Sequence, residues 1–226
     1  MTALLNDVTF KRIMEEKPLW VWDDRLKRYR HQNGRIIGVR QMVGLRDQFI
    51  AGVKGETDTL TKRLFSKRIS IQRWETEARN IIKAAFIDSY VLGRGGRDNM
   101  TAADWGRLGS MLRRQYGYLR NFSLDIADGR YTVNQSGMVM ARLGLYAEAA
   151  SQAFERGKTE GRGIPRLEQY PGDGQTQCKT NCKCYLQIKE TADAWLITWK
   201  LNPAEHCGDC VRLAREWNPL TIPKVA

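Results

Sequence analysis

Histidine is nearly missing from this chain, with two among 226 residues, and that scarcity narrows its chemistry before any motif is sought. Side-chain proton transfer near neutral pH and most nucleophilic triads rely on an imidazole. His31 and His206 stand in no Ser/His/Asp setting, and the carboxylates are scattered along polar helix faces, so no catalytic constellation can be assembled. No apolar run approaches the ~20 residues that cross a membrane. No opening stretch combines a basic start, an apolar core and a small-residue cleavage site, so a soluble, unexported protein with no membrane partner is expected. Internal repeats and low-complexity tracts are absent as well. Cysteine is missing from the first 177 positions, which rules out a disulfide framework stapling the whole chain.

Acidic residues are also short. Lys and Arg number 37 against 25 Asp and Glu, leaving a net charge of +12, and such a surplus favours phosphate-rich or acidic partners without naming one. A chain of this length can bury its own core without crosslinks.

The pattern divides the sequence into three parts. Residues 1–36 show no sustained period, are punctuated by Pro18 and Gly34, and place Trp20, Trp22, Arg28, Tyr29 and Arg30 together. They read either as an extended basic, aromatic arm that docks on a partner or as a segment folded back on the chain's own core. Residues 37–163 read as helices. Val39, Met42, Val43, Phe49, Ile50, Val53, Leu60 and Leu64 recur at helical spacing. A second stripe follows the N-cap Ser70 and stops at "GRGGR". A third opens with a capping box, Thr101 and Asp104, and closes at Gly129. A fourth runs from Thr132 and Gln135 through Val139, Leu143, Tyr146, Ala150 and Ala153 until "GKTEGRG" ends it. Long amphipathic helices on short loops should pack as an antiparallel bundle, with Gly106, Gly109 and Gly144 offering close approach. The expected fold class is therefore mainly α, an antiparallel helical bundle carrying a small cysteine-rich β-hairpin module.

That module is residues 164–226. "CYLQIKE" and "WLITWKL" read as strands paired across "TADA", and the hairpin separates "CKTNCKC" from "HCGDC". Folding back brings Cys178, Cys182 and Cys184 towards Cys207 and Cys210. Structural zinc wants four soft or borderline ligands, and a Cys-x-x-Cys turn supplies two from one knuckle. Cys178, Cys182, Cys207 and Cys210 are the expected ligands, with Cys184 and His206 as alternates. A thioredoxin-like redox pair lacks its βαβ context, a zinc deaminase lacks its His-x-Glu, and the haem-attachment order is reversed. Disulfides stay open for an assembled extracellular particle.

Two basic features remain. "GRGGR" could cradle phosphate through its amides or simply turn the chain. Arg94, Arg97, Arg107, Arg113, Arg114 and Arg120 make the middle of the bundle positive; they are either possible phosphate contacts on DNA or a solvated face.

"WVWDDRLKRYRHQNGRII", "VLGRGGRDNMTAADWGRL", "CKTNCKC" and "PAEHCGDCVRLA" together resemble bacteriophage minor head proteins of the phage Mu head-morphogenesis kind, over most of the chain. The cysteine elements occur here in the opposite order, with Cys182 and Cys184 ahead of Cys207 and Cys210, although coordination depends on position in space. The resemblance implies a non-enzymatic virion component, made in the host cytoplasm and multimeric in the particle. It would act beside the portal or capsid in head assembly or DNA packaging. The alternative expectation is a zinc-dependent protein gripping DNA through its arginine-rich face.

Overall fold

The computed structural model describes residues 20–203 and 206–224. The first 19 residues of the expected arm, Pro18 among them, lie outside the described residues. Helices dominate the rest: α1 Val39–Phe65, α2 Ile71–Arg94, α3 Ala102–Ala127, α4 Ser136–Glu148, α5 Ala150–Glu160 and the short α6 Gly208–Glu216. Two three-stranded antiparallel sheets accompany them, β1 Trp20–Asp23 with β2 Arg28–His31 and β3 Ile36–Ile37, and β4 Tyr185–Glu190 with β5 Ala194–Lys200 and β6 Leu220–Pro223.

The helix starts follow the capping chemistry. Ser70 Oγ accepts from the Arg73 amide at 3.2 Å, and Thr101 and Asp104 exchange reciprocal bonds of 3.2 and 2.8 Å. Each such cap contributes about 1 kcal/mol. Thr132 and Gln135 cap only a single 3-10 turn, 133–135, ahead of α4. The fourth stripe is interrupted at Ala149, so two helices stand where one is expected.

α2 is the central helix. Ala85, Phe86, Ile87, Asp88, Ser89, Tyr90 and Val91 are all buried, so its last turns are enclosed on every side, whereas the first half keeps one exposed face. α1, α3 and α5 pack around it. Trp74 crosses Phe122 of α3 edge-on at 5.8 Å, and its indole donates to Thr61 of α1 at 3.4 Å. The glycines that allow close approach are not the expected ones. A Cβ on Gly106 or Gly109 would meet nothing, and one on Gly144 only the Lys54 side chain. Gly93 of α2 and Gly157 of α5 instead lie against each other's backbone, where a Cβ would collide with the carbonyl of Phe154 or of Tyr90. Gly157 was read as a helix stop; it is the residue that lets α5 seat on α2.

From Trp20 onward the segment takes the second of its two expected forms, folded back on the chain's own core. Its residues form a folded sheet, not an extended strap: Trp22 faces Tyr29 at 5.1 Å, Trp20 faces His31 at 4.7 Å, and Gly34 supplies the left-handed turn (φ 86°) between β2 and β3. Tyr29 is 0 % exposed and packs with Ile37, Met42, Val43 and Phe154. The Trp22 amide donates to the Gly95 carbonyl at 3.0 Å, and Arg162 covers the Trp22 ring at 4.1 Å. "GRGGR" thus serves as the left-handed end of α2 and the seat of β1, with Gly95 at φ 83° and no room for a Cβ beside Trp22.

α5 also fastens the second sheet. Glu155, fully buried, accepts from Arg46 of α1 at 3.0 Å, from Lys158 at 2.6 Å and from the Leu186 amide at 3.0 Å. Lys158 completes the bridge by donating to the Leu186 carbonyl at 2.6 Å. The start of β4 is therefore held by both its donor and its acceptor.

Candidate metal centre

Cys178 opens a tight knuckle. The Lys179 amide bonds back to the Thr176 carbonyl at 2.8 Å and the Asn181 amide to the Cys178 carbonyl at 3.0 Å, with Lys179 in the left-handed region at φ 49°. The turn returns the chain so that Cys182 points back beside Cys178. Cys207 is the N-cap of α6 and Cys210 lies in its first turn, as the Cys-Gly-Asp-Cys spacing requires. Asp209, in the same turn, accepts from the Gln177 amide at 2.9 Å and stitches the two cysteine segments together. Between them the β4–β5 hairpin closes over a core of Leu186, Ile197, Trp199, Leu213 and Trp217, in which Trp199 and Trp217 meet edge-on at 5.6 Å.

The sulfurs converge. Cys210 lies 3.6 Å from Cys178 and 3.6 Å from Cys182, and the ligand atoms of these three all lie within 4.8 Å of one another. Cys207 adds to the cluster through Cys178 at 3.5 Å but stands outside that mutually close trio. All five cysteines are free thiols. A disulfide needs an S–S distance of about 2.05 Å. The edge of a thiolate tetrahedron around zinc, from a bond of about 2.3 Å, is about 3.8 Å. The observed separations fit the second. Among the described residues, no histidine nitrogen or carboxylate joins the trio, and His206 stands beside Cys207 without entering it.

Crowding sets the protonation pattern. Hydrogen bonds to neighbouring thiols push Cys182 and Cys210 well above the ordinary thiol range, and the bonds they donate hold Cys184 well below it. Burial opposes ionisation of Cys207, yet the amides of Cys210 and Cys178 outweigh it and lower its pKa. Such a cluster cannot carry one thiolate per cysteine without a cation, which is the condition in which a metal binds with release of protons. Cys184 is buried in the hairpin core, next to Leu186 and Trp199.

The arginine face is only partly available. Arg94 is pinned to Asp104 at 3.1 Å and to the Asn99 carbonyl, and Arg107 is tied to Asp104 at 2.8 Å and Glu160 at 2.9 Å. Arg97 lies over Trp105, Arg113 reaches Ser110, and Arg120 pairs with Glu75 at 3.0 Å. Arg114 is exposed and unpaired among the described residues. Asp104 is an organiser as well as a cap: the Tyr90 hydroxyl lies 2.9 Å from it and also against Glu160, so that its single proton bridges the two carboxylates. Arg28 and Arg30 lie on the exposed side of the first sheet, Arg30 paired with Asp23. No family model, curated protein or solved structure matches the chain.

Proposed function

We propose that the chain is a non-catalytic assembly protein of the phage minor-head kind, whose cysteine module is locked by one structural zinc ion. The observation that carries the metal reading is the group of buried and half-buried thiols at disulfide-excluding, tetrahedron-like separations. Cys178, Cys182 and Cys210 supply three ligands, and Cys207 the fourth: it comes from the same knuckle as Cys210, touches Cys178 and is the thiol that backbone amides favour as thiolate. Zinc held this way supplies folding energy, not reactivity, because no position is left open for substrate. The assembly reading is supported by the sequence resemblance and by a build suited to a rigid adaptor, in which buried ion pairs within the bundle and a lysine–carbonyl bond fasten the module to it.

Elemental analysis of the purified chain tests the metal directly. About one zinc per chain is expected, lost in Cys210→Ser and Cys207→Ser but retained in Cys184→Ser. A metal-free protein with oxidised cysteine pairs overturns the ligand assignment. Co-purification with portal or capsid protein tests the assembly role; a chain that associates with neither overturns it.

A further inference from the structure

The polar faces of the bundle meet across an open cleft of about 1110 Å³ beside the metal centre. On α3 its wall falls at Arg107, Met111, Arg114, Tyr118 and Asn121. These steps of four and three define one helix face, which adjoins the face that buries Leu108, Leu112, Leu119 and Phe122, one residue further round the helix. Arg142 of α4 and Gln152 and Arg156 of α5 form the facing wall, and Arg166 with the knuckle at Lys179 completes it next to Cys178. The knuckle at Lys179–Asn181 packs on α4.

Six cationic side chains line this space against two carboxylates, Glu160 and Asp173, and both carboxylates are occupied. Glu160 is taken by Arg107 and Tyr90, and Asp173 by the amides of Tyr170 and Gln175. Arg107 and Arg142 have acidic partners, the latter Asp125 at 3.5 Å. Arg114, Arg166 and Lys179 have none among the described residues, and Arg156 feels Asp173 and Glu160 through space without an ion pair to either. Arg156 lies over the Tyr170 ring at 4.4 Å with its Nε buried and without an acceptor. Cations gathered around a concave, low-dielectric wall focus a field that an anion would relieve.

We propose that this cleft binds the sugar–phosphate backbone of a single-stranded nucleic acid. Several unpaired cations spread along a track suit a polyanion better than one phosphate. Tyr118, 56 % exposed, presents a ring on which a base can stack, and the carboxamides of Gln115, Asn121 and Gln152 meet base edges without imposing a sequence. The volume suits on the order of three or four nucleotides. Duplex recognition instead calls for a protruding helix or ribbon that enters a groove, and this surface is concave. The inference goes beyond the assembly reading and holds whichever ion the thiols take.

Fluorescence anisotropy of the full chain with labelled oligothymidylate tests it. Binding is expected with a log–log salt slope of about −3, as four backbone contacts give. Arg114→Glu with Arg166→Glu, both exposed and unpaired, should weaken it at least tenfold and flatten the slope by about 1.4. Tyr118→Ala should weaken it with the slope unchanged. Arg68→Glu with Lys189→Glu makes the same change of net charge away from the cleft and should cost less than twofold. Absence of binding, an equal loss in that control pair, tighter binding of a duplex of equal length, or equal competition by polyglutamate would each overturn the proposal.

Discussion

Glu155→Gln should be among the most damaging single-atom-scale changes available in this chain. The carboxylate is fully buried and neutralises two buried cations, Arg46 and Lys158, while accepting the Leu186 amide. The glutamine keeps the shape and an acceptor but leaves Lys158 without a counter-charge and Arg46 with Asp47 alone, at 2.8 Å, and breaking a buried pair in this way costs about 3–5 kcal/mol. With a urea m-value of about 3 kcal/mol/M, the unfolding midpoint should fall by about 1–1.7 M. The pH dependence gives the sharper test. Burial pushes Lys158 down to about 8, Glu155 working against that shift, so without Glu155 the folded-state pKa falls further. Between the folded pKa and the unfolded value near 10.5 the unfolded chain binds more protons, so stability rises with pH across that window. The deficit of the variant should therefore narrow from pH 7 to pH 9 as the uncompensated ammonium discharges. Adding Lys158→Met should recover much of the loss at pH 7 by removing the unpaired charge. Urea titrations followed by tryptophan fluorescence at both pH values decide the matter. A variant within about 1 kcal/mol of wild type, or a deficit that widens with pH, would refute the reasoning.

Gly157→Ala should destabilise by more than 2 kcal/mol, since its methyl meets the Tyr90 backbone, whereas Gly106→Ala, in open space, should stabilise by about 0.5–1 kcal/mol; thermal unfolding of the pair checks the sign of each. Asp88, buried with one oxygen unpartnered, is raised to about 7 by desolvation, against the pull of Arg97. Its contribution is greatest below the unfolded pKa and is lost as pH rises through 7, so wild type should lose stability between pH 5 and pH 8 more steeply than Asp88→Asn, as urea midpoints will show. Chelation of the wild-type metal should lower the thermal midpoint and leave that of Cys210→Ser unmoved in a melting assay, because the variant has no bound ion to lose.

Much of this fold could be read from spacing and caps, because those signals are local. Ser70, Thr101 and Asp104 mark true helix starts, the two strands around "TADA" pair as expected, and the thiols on either side of that hairpin do meet. What escaped depends on contacts between distant segments. Gly157 looks like a terminator in isolation, and only the approach of α2 shows why a side chain is excluded there. The mixed aromatic and basic text at residues 20–31 lacks a clean alternation because its two short strands face α2 and Arg162 as well as each other. The cleft does leave a trace: positions 107, 111, 114, 118 and 121 form a periodic stripe, but it is mostly polar and runs beside the apolar stripe that marks the core face of the helix. Arginine counting could not separate Arg94 and Arg107, which are consumed by Asp104, from Arg114, which is not.

The thiol cluster and the α5 ion pairs do different work on the same module. Cys178, Cys182, Cys207 and Cys210 join the knuckle to α6 inside the module, whereas Glu155 and Lys158 hold β4 to the bundle without involving any sulfur. Loss of metal should therefore loosen the knuckle and α6 while the β4–α5 seam stays shut. Loss of Glu155 should do the reverse. Because Lys179 and Cys178 belong both to the knuckle and to the cleft wall, the first perturbation reaches the cationic cleft and the second need not. Hydrogen exchange on the two variants should separate them: faster exchange at 176–184 and 208–216 for Cys210→Ser, and at 155–160 and 185–188 for Glu155→Gln. Identical exchange patterns would mean that module and bundle open as one cooperative unit, and that the two fastenings are not independent.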